Sequence, residues 1–139
     1  MKKTTLLNGP VSAIIADMGH GDTLCICDAG MPISPKIQKV DLAVTSGIPS
    51  FLDVLKSIIE ELFVEQVIIA EEMKVQQPNL FLELSNQVAA LEARQGNVIP
   101  IITTSHDELK KSATNCRASI RTGECVPYAN VILQSGVPF

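Results

Sequence analysis

The chain has 139 residues, 46% hydrophobic and 19% charged, with a formal net charge of −4. That length suits one domain, residues 1–139, with a real core. The acidic balance repels phosphate backbones, and the densest basic spots, Lys2-Lys3 and Lys110-Lys111, carry no interleaved aromatics, so nucleic acid is an unexpected partner.

With a mean hydropathy of +0.26, the chain holds more apolar material than a lone domain of this size needs. Part of it is expected to be buried between subunits of a homo-oligomer. Lys2-Lys3 followed by Leu6-Leu7 could open a signal peptide, but Asn8-Gly9-Pro10 break the apolar stretch at once. No run approaches the ~18 apolar residues of a membrane span. The expected location is therefore cytoplasmic, with no membrane insertion.

Residues 11–18 have helical spacing and end at Gly19, a C-cap residue type. Residues 23–27 (TLCIC) form a short apolar run that suits a strand buried on both faces. Residues 40–45 alternate as a strand should. Pro49 then opens a helix over 50–62, with apolar residues on one face. Residues 66–70 read as a second buried strand. Pro78 starts an amphipathic helix running to about Arg94 and closed by Gly96. Residues 98–103 form a strand in which Pro100 predicts an edge position or a bulge. Ser105 is placed as the N-cap of a helix over 107–113, with Glu108 completing a capping box. Residues 116–120 and 130–133 are the last strand candidates. The alternation predicts an α/β fold: a three-layer α/β/α sandwich around a mainly parallel sheet.

The four cysteines, Cys25, Cys27, Cys116 and Cys125, lack zinc-finger spacing. They are expected to be free thiols, and no metal site is expected. In α/β folds ligands bind at the carboxyl ends of strands. Asp28 follows the first strand, His20 lies in a turn before it, and His106 follows the 98–103 strand. Tyr128 and Asn130 flank the entry to the last strand. Each has a plain structural alternative: His20 as a solvated turn residue, Asp28 as a ligand of its own turn, His106 as a capping partner, Tyr128 as a half-buried ring, Asn130 as a turn residue. Arg121 and Glu124 flank a turn, either paired to shape the site or as surface charges. Dinucleotide, P-loop, serine-hydrolase and zinc-protease motifs are absent. What remains is chemistry a histidine and a carboxylate perform with protons alone.

The sequence closely resembles the D-ribose pyranase family, which is related to L-fucose mutarotase. The resemblance spans the chain and is carried by Gly19-His20, Cys27-Asp28-Ala29-Gly30, Gly47-Ile48-Pro49-Ser50-Phe51 and Ile68-Ile69-Ala70-Glu71-Glu72. It continues in Thr103-Thr104-Ser105-His106, Ile120-Arg121-Thr122-Gly123-Glu124-Cys125 and Pro127-Tyr128-Ala129-Asn130. It implies an isomerase that interconverts pyranose and furanose forms of β-D-ribose, supplying the sugar for phosphorylation. It also implies a ring-shaped homo-oligomer, an octamer or decamer, with the sugar bound near a subunit boundary. On the same ground His20 is the expected proton donor, and Asp28, His106, Tyr128 and Asn130 the expected sugar-binding residues. Ring opening moves protons and no electrons, so no cofactor is expected. A histidine suits this work because its ordinary pKa of about 6.5 lies near neutrality. Two other readings stay open: a mutarotase of another sugar such as L-fucose, and a non-catalytic sugar-binding subunit of a transport system.

Overall fold

The computed structural model describes residues 1–139. Helix α1 (Gly9–Asp17) begins where the Asn8 side chain accepts from the Val11 N–H, with Pro10 in the first turn. It closes at Met18, one residue before the expected Gly19. Strand β1 (Thr23–Cys27) is buried along four of its five residues, as its unbroken apolar run predicts.

Strand β2 (Gln38–Asp41) starts and stops earlier than residues 40–45 suggested. Only Val40 of this strand faces the core. After Asp41 the chain turns back: Val44 N–H donates to the Ile48 carbonyl and Ile48 N–H to the Thr45 carbonyl. Val44 is left 81% exposed, so the alternation there was not a sheet pattern.

Helix α2 (Phe51–Ile59) is capped by the Ser50 hydroxyl and buries Phe51, Val54, Leu55, Ile58 and Ile59. Strand β3 (Val64–Ala70) leads directly into α3 (Glu71–Gln76), a short helix that the sequence reading did not contain. Glu71 and Glu72 lie in its first turn, where a negative charge suits the helix dipole. Helix α4 (Pro78–Gln95) ends at Gly96, which takes the left-handed conformation with φ 77°. Strand β4 (Ile101–Thr104) begins just past Pro100. In α5 (His106–Ala113) the Ser105 hydroxyl accepts from the Glu108 N–H, as the capping-box spacing predicts. Strands β5 (Ala118–Arg121) and β6 (Val131–Ser135) follow.

All six strands form one sheet in the order β2-β5-β1-β6-β3-β4. β4 is an edge strand, as Pro100 predicts. The neighbours β2/β5, β5/β1 and β3/β4 are parallel, while β6 runs antiparallel to both β1 and β3. Alternation along the strands sends Leu24, Ile26, Val67, Ile69, Val131 and Leu133 to one face, into a core of 25 residues with α1, α2 and α4. Cys25, Cys27 and Ile132 face the other way, with Ala70 beside them, and pack on Leu109 and Ala113 of α5. The expected three layers are present, but the second helical layer is thin.

This topology fixes where polar residues collect. The parallel strands β1, β5, β3 and β4 all end at one edge of the sheet, and antiparallel β6 begins there. Residues after β1 and β4 therefore meet residues before β6.

Candidate active site

Asp28 is the first residue beyond β1, and Asn130 the last before β6. Because Ile26 pairs with Val131, the two are adjacent across the ladder. Asn130 donates from Nδ2 to Asp28 Oδ2 at 2.8 Å, and its Oδ1 accepts from the Asp28 N–H at 3.0 Å. The other carboxylate oxygen accepts from the Gly30 N–H at 2.8 Å. Asp28 thus binds its own turn, as the structural alternative held, and is also aimed by a second strand. Asn130 is fully buried, 0% exposed. It stands behind Asp28, with its amide engaged by that residue.

His106 and Tyr128 stand across from this pair. Their rings meet edge to face, with centroids 5.0 Å apart and planes at 81°, a favourable aromatic geometry. His106 Nδ1 is buried without a hydrogen-bond partner, which leaves Nε2 as the nitrogen available to a ligand. Tyr128 holds φ 67°, a left-handed conformation uncommon for a residue with a side chain, and its carbonyl accepts from the Asn130 N–H at 2.8 Å. Such local strain persists where the surroundings over-determine it. Asp28, Gly30, His106, Lys110, Cys125 and Tyr128 line a cleft of about 550 Å³. A larger share of apolar wall marks a second groove of about 320 Å³ around Leu6, Val11 and Val54, lined by none of these polar groups. The polar cleft has the chemistry for a small polyhydroxylated ligand: a carboxylate to accept, and a ring nitrogen and a phenol able to donate or accept.

Several further residues brace this cleft. Arg121 donates from Nε to the Ala29 carbonyl at 2.9 Å and pairs with the Asp41 carboxylate at 2.9 Å. Burial pushes the Asp41 carboxyl up, but the Ala43 N–H and the Arg121 guanidinium outweigh it and hold it below its ordinary value. Glu124 accepts from the Cys125 and Val126 N–H groups at 3.0 and 3.1 Å, folding the loop that leads to Tyr128. Arg121 and Glu124 each serve the site, though not as a pair with one another. Thr122 donates to the Cys27 carbonyl at 2.9 Å, and Glu72 accepts from the His106 N–H through both carboxylate oxygens. The positions of Thr122 and Glu72 just beyond β5 and β3 are the signal that could have found them.

His20 lies elsewhere. It precedes β1, whereas Asp28 follows it, so five strand residues separate them. At about 3.3 Å per residue that is roughly 16 Å along the strand. His20 is exposed, 64% for its side chain, and its Nε2 lies 3.0 Å from Glu65 Oε2. The structure therefore brings Asp28, His106, Tyr128 and Asn130 together and leaves His20 at the opposite edge of the same sheet. Glu65 was not singled out from the sequence.

The sequence profile of the RbsD / FucU transport protein family matches residues 1–138. The chain belongs to the RbsD/FucU family. Among its relatives in this family is the D-ribose pyranase of Pasteurella multocida, 52% identical over 139 residues, with 100% of both chains covered. That of Haemophilus influenzae is 50% identical over the same 139 residues, again with 100% of both covered. In three dimensions the chain is similar to Bacillus subtilis RbsD, solved in complex with D-ribose. The TM-score is 0.90 at 40% identity, covering 100% of each chain. The α/β architecture is thus that of an RbsD/FucU protein throughout.

Proposed function

We propose that this chain is a D-ribose pyranase, an isomerase that interconverts β-D-ribopyranose and β-D-ribofuranose through the open-chain aldehyde. The likeness to D-ribose pyranases at half identity over full length carries the reading, and the polar cleft supplies its chemistry. The pyranase supplies ribose for phosphorylation. Its proposed location is the cytoplasm, an assignment supported by four free cysteines, three of them buried.

In the proposed mechanism Asp28 accepts a hydrogen bond from the anomeric hydroxyl, and His106 Nε2 and the Tyr128 hydroxyl hold further hydroxyls. Asn130 acts through Asp28, whose orientation it fixes. His20, charged, gives its proton to the ring oxygen as the bond from that oxygen to C1 breaks. The anomeric proton passes to Asp28, leaving an aldehyde at C1 and a new hydroxyl at C5. Rotation brings the C4 hydroxyl to C1. It adds to the aldehyde, its proton returns to the imidazole, and Asp28 returns its own to the carbonyl oxygen. Acid–base help of this kind contributes about 10²–10⁴-fold, enough for a hemiacetal that already opens slowly in water.

One chain cannot place His20 and Asp28 on the same small sugar, so in this reading the cleft of one copy receives His20 from another. A contact between two different surfaces of the same chain is heterologous, and where its rotation closes it builds a ring. A ring-shaped homo-oligomer agrees with that logic and is part of the proposal; its size, octamer or decamer, is what the family resemblance implies.

Saturation-transfer NMR on excess D-ribose tests the function. Trace protein should accelerate pyranose–furanose exchange, and His20→Ala should abolish most of the acceleration. Exchange confined to L-fucose would replace the reading with a fucose mutarotase. No catalytic exchange of either sugar would replace it with a binding subunit. Co-assembly of His20→Ala with Asp28→Asn chains, each inactive alone, should restore activity to about a quarter of wild type, because a random ring pairs an intact cleft with an intact histidine at that frequency. A mixture that stays inactive would show that both residues must come from one chain.

A further inference from the structure

The turn that carries His20 has a fixed backbone. Gly19 N–H donates to the Asp22 carboxylate at 2.9 Å, and Gly21 N–H to the Ser135 carbonyl at 2.8 Å. Gly21 takes φ 81°, which a residue with a side chain adopts only with strain. None of these bonds restrains the imidazole itself. The side chain that does is Glu65, at the start of β3. Its Oε2 meets His20 Nε2 at 3.0 Å, while its Oε1 accepts from Gln134 Nε2 at 2.6 Å. Gln134 lies on β6, beside β3 in the sheet, and Gln66 is its ladder partner. Glu65 also packs over Gly136, where even a Cβ would come within 3.1 Å of its carboxylate.

We propose that Glu65, seated by Gln134, is a positioning residue that holds His20 as the Nε2–H tautomer and makes Nδ1 the nitrogen that exchanges protons with the sugar. The inference rests on the pyranase reading above. A carboxylate offers acceptors only, so the nitrogen facing it carries hydrogen in both the neutral and the charged ring. Proton traffic with the substrate must then run through the other nitrogen. An ordinary exposed ion pair fixes little, because two mobile side chains must be ordered to make it. Here the carboxylate is already held by Gln134 and the floor at Gly136, so only the imidazole remains to be ordered.

The test pairs a ring-nitrogen spectrum with kinetics. With two histidines in the chain, ¹⁵N-histidine labelling and the His20→Ala variant assign the signals. Wild type should show His20 as the Nε2–H tautomer, and Glu65→Ala should show a mixture. Glu65→Ala should also lose about 10–100-fold in kcat, the usual effect of removing a group that orients a reactive one. Its KM for ribose should stay within about twofold, since Glu65 touches His20 and none of the side chains proposed to hold the sugar. Gln134→Ala should show both changes to a smaller degree, and Glu65→Gln, whose amide oxygen still accepts, should recover most of the rate. Wild-type kcat in Glu65→Ala, or a single Nε2–H tautomer there, overturns the inference. An active His20→Ala variant overturns the pyranase reading beneath it. Inactive His20→Ala beside a fully active Glu65→Ala overturns only the positioning role.

Discussion

The two edges of the sheet are built in opposite ways. At the carboxyl edge, Asp28 is tied to Asn130 by two hydrogen bonds, and the loops on either side are pinned by Arg121, Thr122 and Glu124. Tyr128 is held in a strained conformation by that packing. At the amino edge, His20 stands on an exposed turn and its ring has one partner. The binding groups are preorganised and their ordering is completed by folding, which spares affinity that cost. The proposed proton carrier is left accessible, as a group that must meet another copy's cleft has to be.

The sharpest break between the edges is expected from His20→Ala. Exchange should fall by about 10²–10⁴-fold while the melting temperature stays at wild type, because the side chain is mostly exposed. Asn130→Ala should do both kinds of damage. It strips Asp28 of two part-buried hydrogen bonds, at a cost of about 1–3 kcal/mol in denaturant unfolding, together with weakened ribose binding. Gly123→Ala probes the same edge through the backbone. A Cβ there would run into the Ile48 carbonyl, so the loop must shift, and a loss of about 1–3 kcal/mol is expected. Tyr128→Phe removes only the hydroxyl: stability should hold and KM rise by less than about tenfold, the value of one hydrogen bond. The smallest effect is acid weakening of the Arg121–Asp41 brace. The Asp41 carboxyl is depressed in the fold, so its contribution is present above the unfolded carboxylate pKa and fades as pH falls through the lower folded value. Asp41→Asn should flatten the acid limb of the unfolding curve slightly.

Most of the carboxyl edge was legible in the sequence. A buried run ending in Asp28, a capped helix beginning at His106, and Tyr128 before the last strand each sit where an α/β sheet binds ligands. What escaped depends on strand direction. Asn130 meets Asp28, and Gln134 lies beside Glu65, because β6 is antiparallel, and no local pattern in residues 130–133 encodes direction. The separation of His20 from the cleft followed from the same topology: it is near Asp28 in sequence and a strand length away in space. Glu65 precedes an apolar run and reads as a solvated strand end until His20 is seen beside it. The β2 boundary failed for another reason. Val40, Leu42 and Val44 alternate, yet the chain leaves the ladder at Asp41 and the period continues by accident.

The central place of β6 also has a kinetic consequence. Strands β2, β5 and β1 form one half of the sheet and β3 and β4 the other, and β6 supplies the only ladder between them. Pairing Thr23 with Gln134 closes a loop of about 110 residues before the half built on β1 is joined to β6. Closure entropy grows only slowly with loop length, but contacts this distant in sequence are slow to find one another. Neither half-sheet has its full complement of hydrogen bonds until β6 arrives. Amides of β1 and β3 that donate to β6 should therefore exchange with deuterium at a common free energy, set by the release of a single five-residue strand.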